Sequence, residues 1–349
     1  MNFYNKQHKY YCGIDLHGRT MYICIMNSAG KRLLHRNIRN DAGYFLKLIA
    51  PYREDIVVAV ECVFAWYWLA DLCSKEGIPF VLGHALYMKA VHGGKAKNDK
   101  IDSEKITKLT RGGVLPIAYV YPSKMRSARD LMRRRLYFVR KRAELIVHIQ
   151  LSRMQYNLAS FSQEVKSGRS KTHSGIKEHF PDHFVQKSIA ADLETIEHYN
   201  QMIKRLEKDI FKGGLSHDPD VLCILQTIHG IGKILALTIL YEIYTIERFP
   251  RVQDFLSYAL LVKSSKQSAG KNLGTCGKHM GNHHLKWAFS EAAVKFLAGD
   301  ERGQAYREKL QKKYGKAKGL TILAAKLGRV VYVMLKNKRS FDIEKFLKN

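Results

Sequence analysis

Ile56-Val57-Val58-Ala59-Val60-Glu61 is the stretch on which the first third of the chain turns. Five apolar residues without alternation, most of them β-branched, mark a short strand buried on both faces. An acid follows at its carboxyl end. Upstream, Tyr10 to Leu16 is apolar and strand-like, and Gly18 and Arg19 turn it. Met21 to Met26 makes a second strand, and the turn Asn27-Ser28-Ala29-Gly30 leads to a third near Arg32 to Ile38. Asp41-Ala42-Gly43 opens a helix to about Ala50, which Pro51 ends. Downstream come a helix rich in Trp66, Trp68 and Leu69, a strand at Ile78 to Leu82, and two further helices. Three meandering strands, then helix, strand, helix, strand, helix, is the element order of the ribonuclease H fold.

Four carboxylates fall at telling places on that order. Asp15 lies in the first strand, Glu61 closes the buried strand, and Asp99 and Asp102 begin a helical pattern with Ile101, Ile106 and Leu109. Acids three apart on a helix share a face with Cβ atoms ~5–6 Å apart. They would repel in water, and hard cations such as Mg2+ would hold them together. A metal pair ~3.5–4 Å apart can activate one oxygen and stabilise the leaving one. Taken singly, each acid has a plainer role: Asp99 and Asp102 suit a helix N-terminus, and Asp15 could simply end a strand. The preceding loop, His92-Gly93-Gly94-Lys95-Ala96-Lys97-Asn98, is basic and lacks P-loop spacing; Lys95 and Lys97 suit a phosphate backbone.

The composition agrees. Among 349 residues, 59 are Lys or Arg against 31 Asp or Glu, a formal charge of +28, and 46% are hydrophobic. That excess predicts salt-sensitive phosphate binding. No apolar run approaches the ~20 residues of a membrane span, and MNFYNKQHKYY lacks a signal-peptide core. Cys12, Cys24, Cys62, Cys73, Cys223 and Cys276 form no C-x-x-C pair and read as small core residues in a reducing cytosol.

Pro122 and Ser123 cap a long helical pattern carrying Arg126, Arg129, Arg133, Arg134 and Arg140, a face expected to meet nucleic acid. After a polar connector, Ile189, Ile196, Ile203 and Ile210 repeat every seven residues, with Tyr199 and Leu206 at the d positions. This is a short coiled-coil signal, or else one amphipathic helix of a monomeric bundle. Gly213 and Gly214 separate the last third. There Thr227-Ile228-His229-Gly230-Ile231-Gly232-Lys233 opens an apolar helix and resembles a helix–hairpin–helix element, whose backbone can cradle phosphate. Between Asp254 and Glu291 there is no carboxylate, while Lys266, Lys271 and Lys278 are present. At its centre lies the glycine-rich loop Gln267-Ser268-Ala269-Gly270-Lys271. Ser268 is either a nucleophile, given a partner to take its proton, or a phosphate-contacting hydroxyl.

Gly13-Ile14-Asp15, Val60-Glu61-Cys62, Lys97-Asn98-Asp99-Lys100-Ile101-Asp102, the Gly230-Ile231-Gly232 turn and Ser268-Ala269-Gly270-Lys271 together resemble the transposases of the insertion-sequence one-ten family, the bridge-RNA-guided recombinases. The resemblance implies an α/β RuvC-like DEDD domain over 1–121, a basic helix and coiled-coil linker over 122–214, and a mainly helical, serine-bearing transposase domain over 215–349. It implies Asp15, Glu61, Asp99 and Asp102 as ligands of two Mg2+ ions and Ser268 as the residue that attacks DNA. It also implies donor and target DNA, a noncoding guide RNA, and a homo-oligomer, dimer or tetramer, with no membrane. Family members commonly place two serines before two glycines in this loop. Here the second of each pair remains, and Ser264 and Ser265 stand a few residues upstream. The rival readings are a RuvC-like junction nuclease that uses water and a non-catalytic nucleic-acid scaffold. Protein-linked DNA separates the first, and magnesium-dependent recombination the second.

Overall fold

The computed structural model describes residues 2–91, 98–159, 175–276, 280–296 and 301–348, with the backbone alone at 90, 264–267, 272 and 275–276. The chain forms two compact units, Met1–Ser123 and Lys124–Asn349.

The first unit is a mixed sheet clothed by helices. Its strands are β1 (Phe3–Tyr4), β2 (Tyr10–Leu16), β3 (Thr20–Asn27), β4 (Arg32–Arg39), β5 (Ile56–Glu61), β6 (Phe80–Gly83) and β7 (Leu115–Ala118). Their spatial order is β1-β7-β6-β5-β2-β3-β4. β2, β5 and β6 run parallel in the middle, with β3 and β4 as an antiparallel meander on one side. The helices are α1 (Ala42–Ile49), α2 (Tyr67–Lys75), α3 (Ala85–Val91) and α4 (Asp99–Arg111). The period-two rule sorts the core. Cys12, Ile14, Val58 and Val60 pack with Phe45 of α1 and Leu69 of α2. Tyr11, Val57 and Ala59 pack with Ile106 and Leu109 of α4 on the other face. β5 is buried on both sides, which is why it shows no alternation. The sequence does not announce strands β1 and β7: they are two and four residues long, and β7 contains Pro116, a residue at odds with a central strand.

The second unit is mainly helical: α5 (Ser123–Gln155), α6 (His183–His217), α7 (Pro219–Gln226), α8 (Lys233–Ile243), α9 (Val252–Tyr258), α10 (His283–Lys295), α11 (Glu301–Tyr314), α12 (Lys316–Asn337) and α13 (Ile343–Lys348). Strands β8 (Ser264–Ser268) and β9 (Lys271–Cys276) form a separate hairpin. The heptad isoleucines of α6 are all buried. Ile189 and Ile196 pack on Ile149 of α5, and Ile210 joins the main core. His148–Asp192, Arg142–Asn200 and Arg135–Glu207 pair in opposite sequence order, so α5 and α6 are antiparallel. The stripe is thus covered within the chain. Gly213 and Gly214, expected to separate two domains, lie inside α6. A Cβ on Gly214 would stand 2.3 Å from Leu237 Cδ2, so the glycine lets α6 close on α8.

Candidate active site

Ile14 of β2 lies level with Val60 of β5. The next residues, Asp15 and Glu61, therefore stand side by side, and their parity puts both on the face covered by α4. Gly13 sets how close α4 comes. A Cβ there would lie 2.4 Å from Thr107 N and 2.5 Å from the Ser103 carbonyl oxygen. The Gly13 N–H donates to Thr107 Oγ1 at 3.1 Å. Gly13→Ala must displace α4 and should cost about 1–3 kcal/mol as an overpacked core site, read as a lowered unfolding midpoint.

Two contacts hold the first turn of α4. Asn98 Oδ1 accepts from Ile101 N–H at 2.8 Å. His35 Nε2 lies 2.9 Å from the Lys100 carbonyl, and burial lowers the pKa of His35, favouring the neutral ring. That turn carries Asp99 and Asp102. His17 Nε2 sits 3.5 Å from Asp15 Oδ2 and 3.2 Å from Asp99 Oδ2. Lys105 Nζ is 3.2 Å from Asp102 Oδ1. Burial pushes the Asp15 carboxyl up to about 6; His17 opposes the rise, and Asp99, Asp102 and Glu61 add to it. All four acids thus share one electrostatic site. A carboxylate so crowded by others fits a donor set that a divalent cation would relieve. Donor atoms of Asp15, His17 and Asp99 all lie within 4.8 Å of one another. His17 is not among the acids that the sequence pattern singles out, yet it stands two residues beyond Asp15 and its ring reaches the same cluster.

In the second unit the serine stretch is a hairpin rather than a loop. Ala269 (φ 48°) and Gly270 (φ 74°) both take positive φ, the pattern of a two-residue type I′ turn. Ser268 ends β8 opposite Lys271, and both are exposed. An alanine in the left-handed region costs roughly 1 kcal/mol or more. Ala269→Gly should therefore slow amide exchange across the hairpin about fivefold; unchanged exchange would show that the turn is not strained there. Lys266 lies in β8 with its backbone alone described, and Lys95, Lys97 and Lys278 lie outside the described residues.

Part of the arginine face of α5 expected to meet nucleic acid turns inward instead. Arg126 is only 4% exposed. Arg133 forms a bidentate pair with Glu242, Nε to Oε1 at 2.7 Å and Nη2 to Oε2 at 2.8 Å. Arg129 Nε donates to the same Glu242 Oε2 at 3.0 Å. These three serve the interior, while Arg134 and Arg140 are exposed. Gly230 (φ +88°) is also structural: a Cβ there would lie 2.5 Å from Phe296 N. Gly232 is the open N-cap of α8, and the exposed Lys233 follows it.

A mixed α/β unit bearing four clustered acids, joined to a mainly helical unit, has the layout of a DEDD-type, ribonuclease-H-like domain with a partner domain. Residues 12–152 match the DEDD transposase model of IS110-type elements, described as a transposase. Residues 223–308 match the model described as Transposase IS116/IS110/IS902 family. The chain belongs to the IS110 family of transposases, which implies a DNA-recombining enzyme, a DNA partner and use of a divalent metal. No curated protein matches the chain. Among the described residues no helix is long and apolar enough to cross a membrane.

Proposed function

We propose that the protein is an RNA-guided DNA recombinase that cleaves and exchanges strands through a covalent phosphoserine at Ser268. The observation that carries this reading is the pairing of two features in one chain: Glu61, Asp99 and Asp102 gathered around Asp15, and an exposed serine beside a lysine at a hairpin tip. In the DNA-loaded assembly, the acids and Ser268, from the same or neighbouring copies, act on one phosphodiester.

Asp15, Glu61, Asp99 and Asp102 would hold two Mg2+ ions. Bound there, the metal supplies charge stabilisation at phosphorus and lowers the pKa of a hydroxyl. The Ser268 hydroxyl forms a bond to phosphorus as the bond to the 3′ oxygen breaks. The serine gives up its proton as it attacks, and the departing 3′ oxygen takes up a proton and leaves as a 3′ hydroxyl, so the step is proton-neutral overall. Lys271, paired with Ser268 across the turn, meets the charge that builds on the phosphoryl oxygens. Reversal with a different 3′ hydroxyl exchanges strands without ATP, because the phosphodiester energy is kept in the serine ester.

Among the described residues, Arg134, Arg140, Gly232, Lys233 and Lys271 are exposed and would meet the nucleic-acid backbone. Base pairing of a guide RNA with donor and target DNA would then carry sequence. Val147, Leu151 and Met154, spaced on one side of α5 and 49%, 55% and 62% exposed, support self-association through a second copy.

The test is to incubate protein, its RNA and DNA with Mg2+, denature, and look for protein-linked DNA. Cleaved DNA with no linkage would favour hydrolysis by water. In Asp102→Asn, adduct formation should drop at least about 100-fold while DNA binding is retained; full adduct formation would remove Asp102 from the ligand set.

A further inference from the structure

We infer that His17 is a ligand of the same metal site, and that its imidazole nitrogen turns an all-oxygen donor set into one that holds Mn2+ in preference to Mg2+. The inference rests on the metal reading above and adds a donor that the four acids do not include.

The distances carry it. Ligand atoms ~2.1 Å from one ion lie about 3.0 Å apart around an octahedron and about 3.4 Å apart around a tetrahedron. His17 Nε2 is 3.5 Å from Asp15 Oδ2 and 3.2 Å from Asp99 Oδ2, the spacing of donors that share an ion. The imidazole is also presented from a fixed point. The His17 N–H donates to the Thr20 carbonyl at 2.9 Å, and Asn40 Nδ2 donates to the His17 carbonyl at 2.8 Å. Both backbone groups are held, while the side chain remains 49% exposed and so open to an arriving ion. A nitrogen donor adds little for Mg2+, which is bound through oxygen, and more for a transition metal.

The alternative is that His17 is only a charge partner of the two acids. A cation would then displace it, and removing it would tighten metal binding. Titration of the full-length, chelator-treated protein with Mn2+ alone, followed by calorimetry and electron spin echo spectroscopy, separates the two. Bound Mn2+ in the wild type should show coupling to an imidazole nitrogen. In His17→Ala that coupling should vanish and Mn2+ affinity should fall at least about tenfold, with Mg2+ affinity changed less than about twofold. His17→Gln, which keeps a polar side chain, should also lose the coupling. In Asp15→Asn, loss of the bound Mn2+ ties the signal to this site. The inference is overturned if Mn2+ binds the wild type without nitrogen coupling, if the coupling persists in His17→Ala, or if that variant binds Mn2+ more tightly. Failure of the wild type to bind Mn2+ or Mg2+ at all would instead bring down the metal reading itself, and the His17 role with it.

Discussion

Ser268→Ala should leave no DNA attached to the protein after denaturation and reduce strand exchange by at least roughly 10³-fold, the scale for removing a nucleophile. The fold should survive, because Ser268 is exposed at the end of β8 and such changes usually stay within about 0.5 kcal/mol. DNA binding should survive as well, since the hairpin backbone and Lys271 are untouched. Nearby serines offer poor substitutes. Ser265 pairs with Thr275 and Ser264 with Cys276, at the far end of the same ladder. At ~3.3 Å per residue they sit about 10–13 Å along the strand from the tip, much too far for in-line attack on the same phosphorus. The measurement is a denaturing gel of labelled DNA incubated with each variant. An adduct that persists in Ser268→Ala and disappears in Ser265→Ala or Ser264→Ala would transfer the role upstream.

Much of the first unit was legible because its signals are local. A β-branched run, an alternating neighbour and a Pro-terminated helix each follow from a few adjacent residues, and the order of elements then placed Asp15 beside Glu61. The hairpin was not legible for the opposite reason. Gln267-Ser268-Ala269-Gly270-Lys271-Asn272 contains no strong strand former, and an alanine hides the positive-φ turn that Gly-Gly or Asn-Gly would have announced. Ladder hydrogen bonds, rather than side-chain propensity, make those strands. The arginines of α5 show what composition cannot decide. Guanidinium groups on one helix range from buried Arg126 through half-buried Arg129 and Arg133 to exposed Arg134 and Arg140, and the sequence marks the inward ones only indirectly. The marker is Glu242, a lone acid in the apolar run Ile239-Leu240-Tyr241-Glu242-Ile243, which requires cationic partners from elsewhere. The α6 heptads were legible as a stripe, but periodicity alone does not name the partner. For Ile189 and Ile196 it is α5, through Ile149, and for Ile210 it is the main core of the second unit.

Glu242→Ala should lower the stability of the second unit by about 3–5 kcal/mol, the cost of stranding buried opposite charges, and its unfolding midpoint by roughly 10 °C. Glu242 is 1% exposed and receives Arg133 twice, Arg129 once, and Asn282 Nδ2 at 2.8 Å. Burial alone would raise its carboxyl. The hydrogen bonds and charges of Arg133, Arg129 and Asn282 outweigh that and hold it down at about 2. A depressed carboxylate stabilises the fold above its ordinary value of 4.5, and the contribution fades as pH falls from there toward about 2. Wild type should therefore lose stability through that window more steeply than Glu242→Gln, which has no charge to neutralise. The clamp also holds the start of α10. Asn282 Oδ1 accepts from His284 N–H at 2.9 Å and Leu285 N–H at 3.0 Å, capping α10, and Glu242 fixes the amide that does so. Removing the acid should loosen the start of α10 and raise amide exchange there before global unfolding. If Glu242→Ala unfolded at the wild-type temperature, the arginines would be as well served by water, and the reassignment of Arg129 and Arg133 to the interior would fail. Replacing Glu242, Arg129 and Arg133 together by Met should restore much of the loss, because packed apolar residues replace a buried ion cluster at little or no cost. That recovery distinguishes a charge effect from a cavity.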